Sequence, residues 1–208
     1  MRYFLAFAVI TIATTASGQT FSVGALGGVP ITDTTGSTGE SQPYIVGGSF
    51  EVRIPASGFA LEADALYRRV GDTNYASYIT GSVSTFSASN YSFDRQRGNS
   101  WEFPLLGKYY FRRTSAWQPF VGAGFAFRTI GVSGAGNVTT SNSTGTLQTI
   151  PFPGSFREPL EVGATVAAGL RFHYSRMAIL PQIRYTRWGG TNSLTRNNET
   201  AFLLGVTF

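Results

Sequence analysis

Apolar residues alternate with polar or small residues in eight segments of the chain. In the segment Leu160–His173, every even-numbered residue is apolar, whereas Glu161, Thr165 and Arg171 occupy odd-numbered positions. A period of two residues is typical of a β-strand with one apolar face. The predicted strands are Phe21–Val29, Tyr44–Ile54, Phe59–Arg68, Trp101–Arg112, Trp117–Arg128, Leu160–His173, Met177–Trp188 and Thr200–Phe208.

The connections between these segments alternate between short and long. Short turns at one end and long loops at the other are typical of an up-and-down membrane barrel. We therefore predict an all-β fold, an eight-stranded antiparallel up-and-down transmembrane β-barrel, with both termini at the short-turn, periplasmic end. The short connections are Pro55–Gly58, Arg113–Ala116 and Tyr174–Arg176, and the long ones are Pro30–Pro43, Val70–Ser100, Thr129–Pro159 and Gly189–Glu199.

Alternation alone does not say which face of the sheet points outward. A soluble barrel of the lipocalin type has its apolar residues inside, whereas a membrane barrel has them outside. Aromatic residues near strand ends favour the membrane barrel, because Trp and Tyr are enriched at membrane interfaces. The residues expected in such girdles are Trp101, Trp117, Trp188, Tyr44, Tyr67, Phe111, Phe172 and Tyr185.

The last predicted strand places Phe202, Leu204, Val206 and Phe208 on one face and ends in an aromatic residue. In this pattern the chain resembles the family of outer-membrane proteins with OmpA-like transmembrane domains, as a stand-alone small barrel. The resemblance extends over essentially the whole of 21–208. It implies that these four residues form the signal read by the barrel-assembly machinery, and that the protein lies in the outer membrane of a Gram-negative-type cell.

The N-terminus has the pattern of an export signal. Arg2 precedes the apolar run Phe4–Ile12, and Ala16 and Gly18 are the small residues that a signal peptidase prefers. The apolar run is shorter than the roughly 18 to 20 residues that a spanning helix needs. We therefore expect residues 1–18 to be a signal peptide and residues 19–208 to form the barrel domain.

Composition narrows the possible functions. Only 13% of the residues are charged, the net charge is +5, and there is no cysteine. The absence of cysteine excludes disulfides and thiolate metal sites. The arginines are scattered among aromatic residues and glycines rather than gathered in a basic run, so nucleic acid is not an expected partner.

Charged residues recur on the face predicted to line the lumen. If Ile54 lies opposite Phe59 across the short turn, then Glu51 lies opposite Glu62, and two facing carboxylates destabilise a sheet. We predict that Lys108 pairs with Glu62, and that Arg171 or Arg184 crosses the lumen to the other carboxylates. The expected lumen charge network comprises Glu51, Glu62, Asp64, Glu102, Lys108, Glu161, Arg171 and Arg184, with Gln182 beside it.

Arginines also map to the rim where the long loops begin. Guanidinium groups bind phosphate in a bidentate manner, and Arg68, Arg69 and Arg187 are therefore candidate contacts to lipid headgroups, including lipopolysaccharide. Further arginines of the predicted rim and loops are Arg95, Arg97, Arg128, Arg157 and Arg196. The segments Thr73–Asn90 and Val132–Thr149 have the composition of disordered loop tips, or alternatively of a partner-binding surface.

Two prolines interrupt the predicted strands. Pro119 and Pro181 each lack the N–H group of a ladder hydrogen bond, which suggests a bulge or a strand end. They also mark where a carrier of small apolar solutes would open sideways.

The leading functional hypothesis is a non-enzymatic envelope protein, expected to be monomeric, with a structural or surface-interaction role and a lumen filled by polar side chains. The alternative is a narrow pore or carrier for small solutes. An envelope enzyme is a third hypothesis, but the single histidine, His173, lies beside Ser175 at the periplasmic turn and completes no catalytic triad. No metal and no cofactor are expected.

Overall fold

Nine β-strands make up the structure, a computed structural model that describes residues 21–31, 44–82, 86–112, 115–141, 147–190 and 197–208. Within these ranges no helix is long and apolar enough to cross a membrane. The predicted signal peptide, residues 1–18, lies outside them. The strands are β1 (Phe21–Pro30), β2 (Ile45–Arg53), β3 (Phe59–Ser82), β4 (Phe86–Tyr110), β5 (Trp117–Ser141), β6 (Leu147–Arg157), β7 (Glu161–Tyr174), β8 (Met177–Trp188) and β9 (Asn198–Thr207).

Eight of the strands close into an antiparallel barrel. Each strand pairs with its neighbour in the order β1, β2, β3, β4, β5, β7, β8 and β9, and β9 pairs back with β1. Gly24 of β1 lies opposite Thr207 of β9 at this closure. β6 pairs with β5 alone and stands outside the ring. The predicted eight-stranded up-and-down barrel is therefore confirmed.

The two faces of each strand differ in polarity. Along β7, Glu161, Thr165 and Arg171 are buried in the barrel, whereas Val162 and Val166 are about half exposed on its outside, at 48% and 50%. The exterior is thus apolar and the interior polar. This arrangement is the one predicted for a membrane barrel and the reverse of a lipocalin-type barrel.

The seam between β1 and β9 is built from small and apolar residues. β1 carries no charged residue. A side chain at Gly28 would collide with the carbonyl oxygen of Phe202, and one at Gly24 would collide with that of Val206. Glycine at these two positions therefore lets the two backbones approach closely.

Pro181 interrupts the ladder between β7 and β8 without shifting the register. On β8, Gln182 pairs with Gly169 and Ile179 pairs with Phe172, so no residue is inserted around Pro181. Leu180 and Pro181, which lie between these two pairs, have no partner on β7 in the ladder, as expected where a proline lacks its N–H group. The predicted bulge at Pro181 is therefore wrong. Pro119 keeps its register near the start of β5.

The barrel continues on one side into a four-stranded extension, defined here as residues 71–82 of β3, 86–97 of β4, 132–141 of β5 and all of β6. Within it Tyr75 pairs with Phe93, Ser92 pairs with Val138, and Val138 in turn pairs with Ile150. The segments predicted as long loops, Val70–Ser100 and Thr129–Pro159, are thus mainly strands. Their Ser, Thr and Gly content suits a solvated sheet whose backbone groups pair with one another.

The opposite end of the barrel has tight turns. Ala56, Arg112 and Ser175 adopt positive φ angles of 56°, 52° and 56°. This left-handed region is costly for a residue with a Cβ atom, so the three turns are held by the strands on either side. The predicted turns Pro55–Gly58 and Tyr174–Arg176 are confirmed.

Candidate functional site

The half of the lumen nearer the tight turns contains the predicted charge pairs. Glu51 and Glu62 lie opposite each other in the β2–β3 register. The Lys108 ammonium contacts the Glu62 carboxylate, and Lys108 Nζ lies 3.7 Å from Glu51 Oε2. Arg171 Nη1 lies 2.8 Å from Glu51 Oε1, and Arg184 Nη2 lies 3.2 Å from Glu62 Oε1. The contacts predicted for Lys108, Arg171 and Arg184 are confirmed.

Asp64 completes this group, which we call the lower ion layer: Glu51, Glu62, Asp64, Lys108, Arg171 and Arg184. Arg184 Nη2 lies 2.7 Å from Asp64 Oδ2. The Tyr110 hydroxyl donates a hydrogen bond of 2.5 Å to Glu51. The part-exposed Arg53 adds a further contact, since its Nε lies 3.0 Å from Glu51 Oε1. Each buried charge of the layer thus has a partner of opposite sign, as burial requires.

A second group, the upper ion layer, lies nearer the four-stranded extension: Arg68, Glu102, Arg128, Glu161 and Glu199. Glu199 Oε2 is its centre, since it accepts hydrogen bonds from Arg68 (2.8 Å), Arg128 (3.5 Å) and the Trp188 indole N–H (3.2 Å). Arg128 also lies 2.5 Å from Glu161, and Arg68 lies 3.1 Å from Glu102. These contacts tie β3, β5 and β9 together across the lumen.

Apolar side chains fill the space between and beside the two layers. On β3, Leu66 lies between Asp64 and Arg68, and it packs in a buried cluster with Leu26 and Leu203. Among the described residues, the side chains with almost no exposed surface include Lys108, Phe120 and Leu106. The lumen is therefore filled by paired charges and apolar groups.

Three residues predicted for the outer surface lie inside instead. Arg68, a predicted lipid contact, is 3% exposed and belongs to the upper ion layer, as does Arg128. Trp188, predicted for the aromatic girdle, is 2% exposed, and the Arg128 guanidinium stacks on its ring at 4.1 Å. The reason is the parity of the strands. Arg68 shares its face with Glu62 and Asp64, and Trp188 shares its face with Arg184.

Four other arginines of the predicted rim and loops are exposed, and Arg196 lies outside the described residues. Arg69 and Arg187 are exposed, as are Arg97 and Arg157. Arg69 pairs in register with Asn99, just beyond the neighbouring pair of Tyr67 with Trp101. The rings of Tyr67 and Trp101 lie 5.2 Å apart. The exposed guanidinium group of Arg69 therefore stands next to an aromatic pair on the outer wall of the barrel.

The described residues offer little that suits catalysis. They contain no group of three or more His, Cys, Asp or Glu side chains able to hold a metal ion. His173 Nε2 lies 3.2 Å from Gln118 Oε1, and His173 is exposed at the tight-turn end of the barrel. The carboxylates of the lumen are already engaged with cations. The arrangement holds the shape of the barrel.

The predicted assembly-signal residues lie along one face of β9 and just beyond it. Phe202, Leu204 and Phe208 are exposed on the outside, and Val206 is partly exposed. They thus lie on the outer wall of the barrel, whereas Leu203 on the alternate face is buried in the lumen.

Sequence reasoning missed two members of the lumen network. Tyr110 and Glu199 both occupy inward positions, as their spacing from Lys108 and Leu203 shows. Parity within each strand was the available signal, since residues an even number apart share a face. Glu199 was overlooked because it fell in a segment predicted as a loop.

No family model and no curated protein matches the chain. Among solved structures, it is similar to Neisserial surface protein A, at 16% identity, with 90% of this chain and 95% of that chain covered and a TM-score of 0.46. It is also similar to the N-terminal β-barrel domain of Pseudomonas aeruginosa OprF, at 15% identity, with 92% of this chain and 99% of that chain covered and a TM-score of 0.43. A third similar structure is the outer membrane protein OprG from Pseudomonas aeruginosa, at 12% identity, with 90% of this chain and 95% of that chain covered and a TM-score of 0.44.

Proposed function

We propose that the protein is an integral β-barrel of the outer membrane of a Gram-negative-type cell. In this proposal it has no enzymatic activity, and it presents the four-stranded extension at the cell surface. Its biogenesis then involves the barrel-assembly machinery acting on the β9 face of Phe202, Leu204, Val206 and Phe208.

The observation that carries the proposal is the polarity of the barrel wall. Leu61, Phe125 and Ile183 are 62%, 64% and 53% exposed on the outside, whereas the ion layers are buried inside. A soluble protein rarely exposes a continuous apolar surface of this extent. On β7 the outward apolar residues run from Val162 to Phe172. At a normal strand rise and tilt, this run gives a band about 25 Å tall, which matches the hydrocarbon thickness that barrels span.

The orientation follows from the two unequal ends. Membrane barrels have short turns on the periplasmic side and longer structures outside. The turn at Ala56 is then periplasmic, and the extension, with Arg69 at its base, faces outward. Exposed Arg69 and Arg187 stand at the height of the outer-leaflet phosphates, which supports contact with lipopolysaccharide or other phosphate-bearing lipids.

The filled lumen favours a structural or surface role over the alternative of a narrow pore. Lys108 and Phe120 occupy the lower lumen with almost no exposed surface, and Leu66 and Leu203 occupy the region between the ion layers. An ion moving along the axis has to displace both salt-bridged and apolar groups. We therefore expect no steady conductance in planar bilayers.

The test is membrane fractionation followed by electrophoresis of unheated and boiled samples. The proposal expects a band in the outer-membrane fraction whose mobility changes on boiling. A protein found in the soluble periplasmic fraction without such a shift would overturn it. Stable single-channel currents from the purified protein would instead replace the structural role with a pore.

A further inference from the structure

The four-stranded extension has two outer edges, one on β3 and one on β6, and they differ in their capacity to pair. At the end of β6 the N–H of Glu158 donates to the carbonyl of Ile130 on β5. Even-numbered residues of β6 therefore direct their backbone groups toward β5, and odd-numbered residues direct theirs to the outer edge. Pro151 and Pro153 are odd-numbered, so the outer edge of β6 lacks two donors.

The outer edge of β3 has the opposite character. The carbonyl oxygen of Phe59 accepts a hydrogen bond from the N–H of Ile54, just after β2. The backbone N–H and C=O groups of odd-numbered residues of β3 therefore point toward the β2 side. β2 pairs with β3 only as far as Tyr67, and no strand among the described residues continues beside 71–82. The N–H and C=O groups of the alternate residues Gly71, Thr73, Tyr75, Ser77, Ile79 and Gly81 thus point to an edge that no described strand occupies.

The sequence of this edge contains none of the usual barriers to strand pairing. Segment 71–82 has no proline and no lysine, and its one charged residue is Asp72. Proteins commonly protect exposed edges with proline or charge to prevent edge-to-edge association. In this extension one edge carries that protection and the other does not.

We propose that the β3 edge of the extension pairs with the same edge of a second copy of this chain, held in a facing membrane. The inference rests on the proposed function, which places the extension outside the cell. The single charge of the segment, Asp72, lies near one end, so two copies paired antiparallel about Ser77 place it opposite Ser82 and not opposite its own copy. Because both copies offer the same surface, the contact is isologous and closes as a dimer.

The direction of β3 requires that the second copy lies in a facing membrane. β3 runs away from the barrel, so two copies in one membrane present parallel edges, and the two strands of a parallel ladder are not equivalent under a two-fold axis. A copy in an opposed membrane presents the same edge antiparallel. One strand pair is a small contact, and many copies on each membrane supply the avidity that it needs.

The experiment uses the full chain reconstituted in phosphatidylcholine–phosphatidylglycerol vesicles, after a boiling-dependent mobility shift has shown that the barrel is folded. Clustering between two differently labelled vesicle populations is followed by fluorescence and light scattering. We expect clustering with the unmodified chain and a reduction of about tenfold with Ser77→Pro, which removes one outward donor and loses avidity. The matched control is Thr149→Pro on the outer edge of β6, which leaves clustering unchanged.

Cross-linking locates the contact. The chain has no cysteine, so the single substitutions Tyr75→Cys, Ser77→Cys and Ile79→Cys report only on that edge. Oxidation is expected to link copies between vesicles through at least one of them, and Ser155→Cys on β6 to link none.

Folded barrels that do not cluster overturn the inference and leave the proposed function intact, whereas a missing mobility shift counts against the proposed function itself. Clustering that persists in Ser77→Pro, or that also recruits protein-free vesicles, overturns self-pairing as well. A further pair of results overturns self-pairing. In it the wild-type chain does not cluster vesicles, and the heat resistance of the barrel is lower in Ser77→Pro than in the wild type. The β3 edge is then paired within its own chain.

Discussion

Glu51 and Glu62 lie directly opposite each other on β2 and β3, and one lysine, Lys108, approaches both carboxylates from β4. Facing carboxylates repel each other and destabilise a sheet unless a cation lies between them. In this barrel the register of a short turn creates the repulsion, and a residue from the next strand compensates it.

Replacing Lys108 is therefore expected to lower stability strongly. Lys108→Met keeps most of the side-chain volume but leaves Glu51 and Glu62 without their shared cation. We expect the free energy of unfolding to fall by about 3 to 5 kcal/mol, the usual cost of removing one partner of a buried ion pair. Urea unfolding in lipid vesicles measures it.

The double variant Lys108→Met with Glu62→Gln is the control for this effect. It removes one carboxylate along with the lysine, so it should recover part of the stability lost in Lys108→Met. Equal stability of the single and the double variant would show that carboxylate repulsion is not the cause.

The upper ion layer predicts a second stability effect. Glu199→Leu removes the acceptor shared by Arg68, Arg128 and Trp188, and it should cost about 3 kcal/mol. Arg157→Leu also removes a charge but at an exposed position, and it should stay within about 0.5 kcal/mol of wild type. Both values come from the same urea titration, and equal effects would contradict the central role of Glu199.

Lipid contact is predicted for Arg69 and Arg187. Each basic residue near an anionic surface contributes about 1 kcal/mol, so Arg69→Gln with Arg187→Gln should weaken binding of phosphorylated lipid A roughly thirtyfold. Binding is followed by fluorescence titration in detergent micelles. Arg176→Gln, in the turn at the opposite end, is the control that should bind normally. If the double variant bound lipid A with unchanged affinity, the prediction that Arg69 and Arg187 contact lipid would be wrong.

Close strand approach predicts a glycine effect. A Cβ atom at Gly124 would collide with the backbone carbonyl oxygen of Leu105 on β4, whereas one at Gly27 meets no atom within 4 Å. Gly124→Ala should cost about 2 kcal/mol or more through strain, and Gly27→Ala should leave stability unchanged or slightly raised. The temperature at which the compact electrophoretic band disappears compares them, and the reverse order of the two variants would contradict this packing.

Much of the barrel is predictable because lipid and lumen impose a strict alternation. β8 begins and ends where the alternating pattern does, at Met177 and Trp188. The contact of Lys108 with Glu62 followed from the register of one short turn. Such features depend on local geometry, and the sequence therefore contains them directly.

The four-stranded extension was not predictable in this way. No apolar face marks β6, which lies outside the ring of the barrel, and Pro151 and Pro153 argue against a strand. Those prolines are tolerated because they lie on an outer edge where no ladder bond is required. Arg68 and Trp188 were misplaced because residue type was weighed above strand parity.

The seam of β1 and β9 has a consequence for the order of assembly. β1 brings no charge to the wall, and the two ion layers are contributed by the other strands of the barrel. The first and last strands can therefore separate and rejoin without moving any β1 charge. Their separation breaks an ion pair, because Glu199 on β9 contacts Arg68 on β3 across the seam. We therefore expect the ring to close at this seam, where the meeting of two glycine-spaced backbones brings that ion pair together.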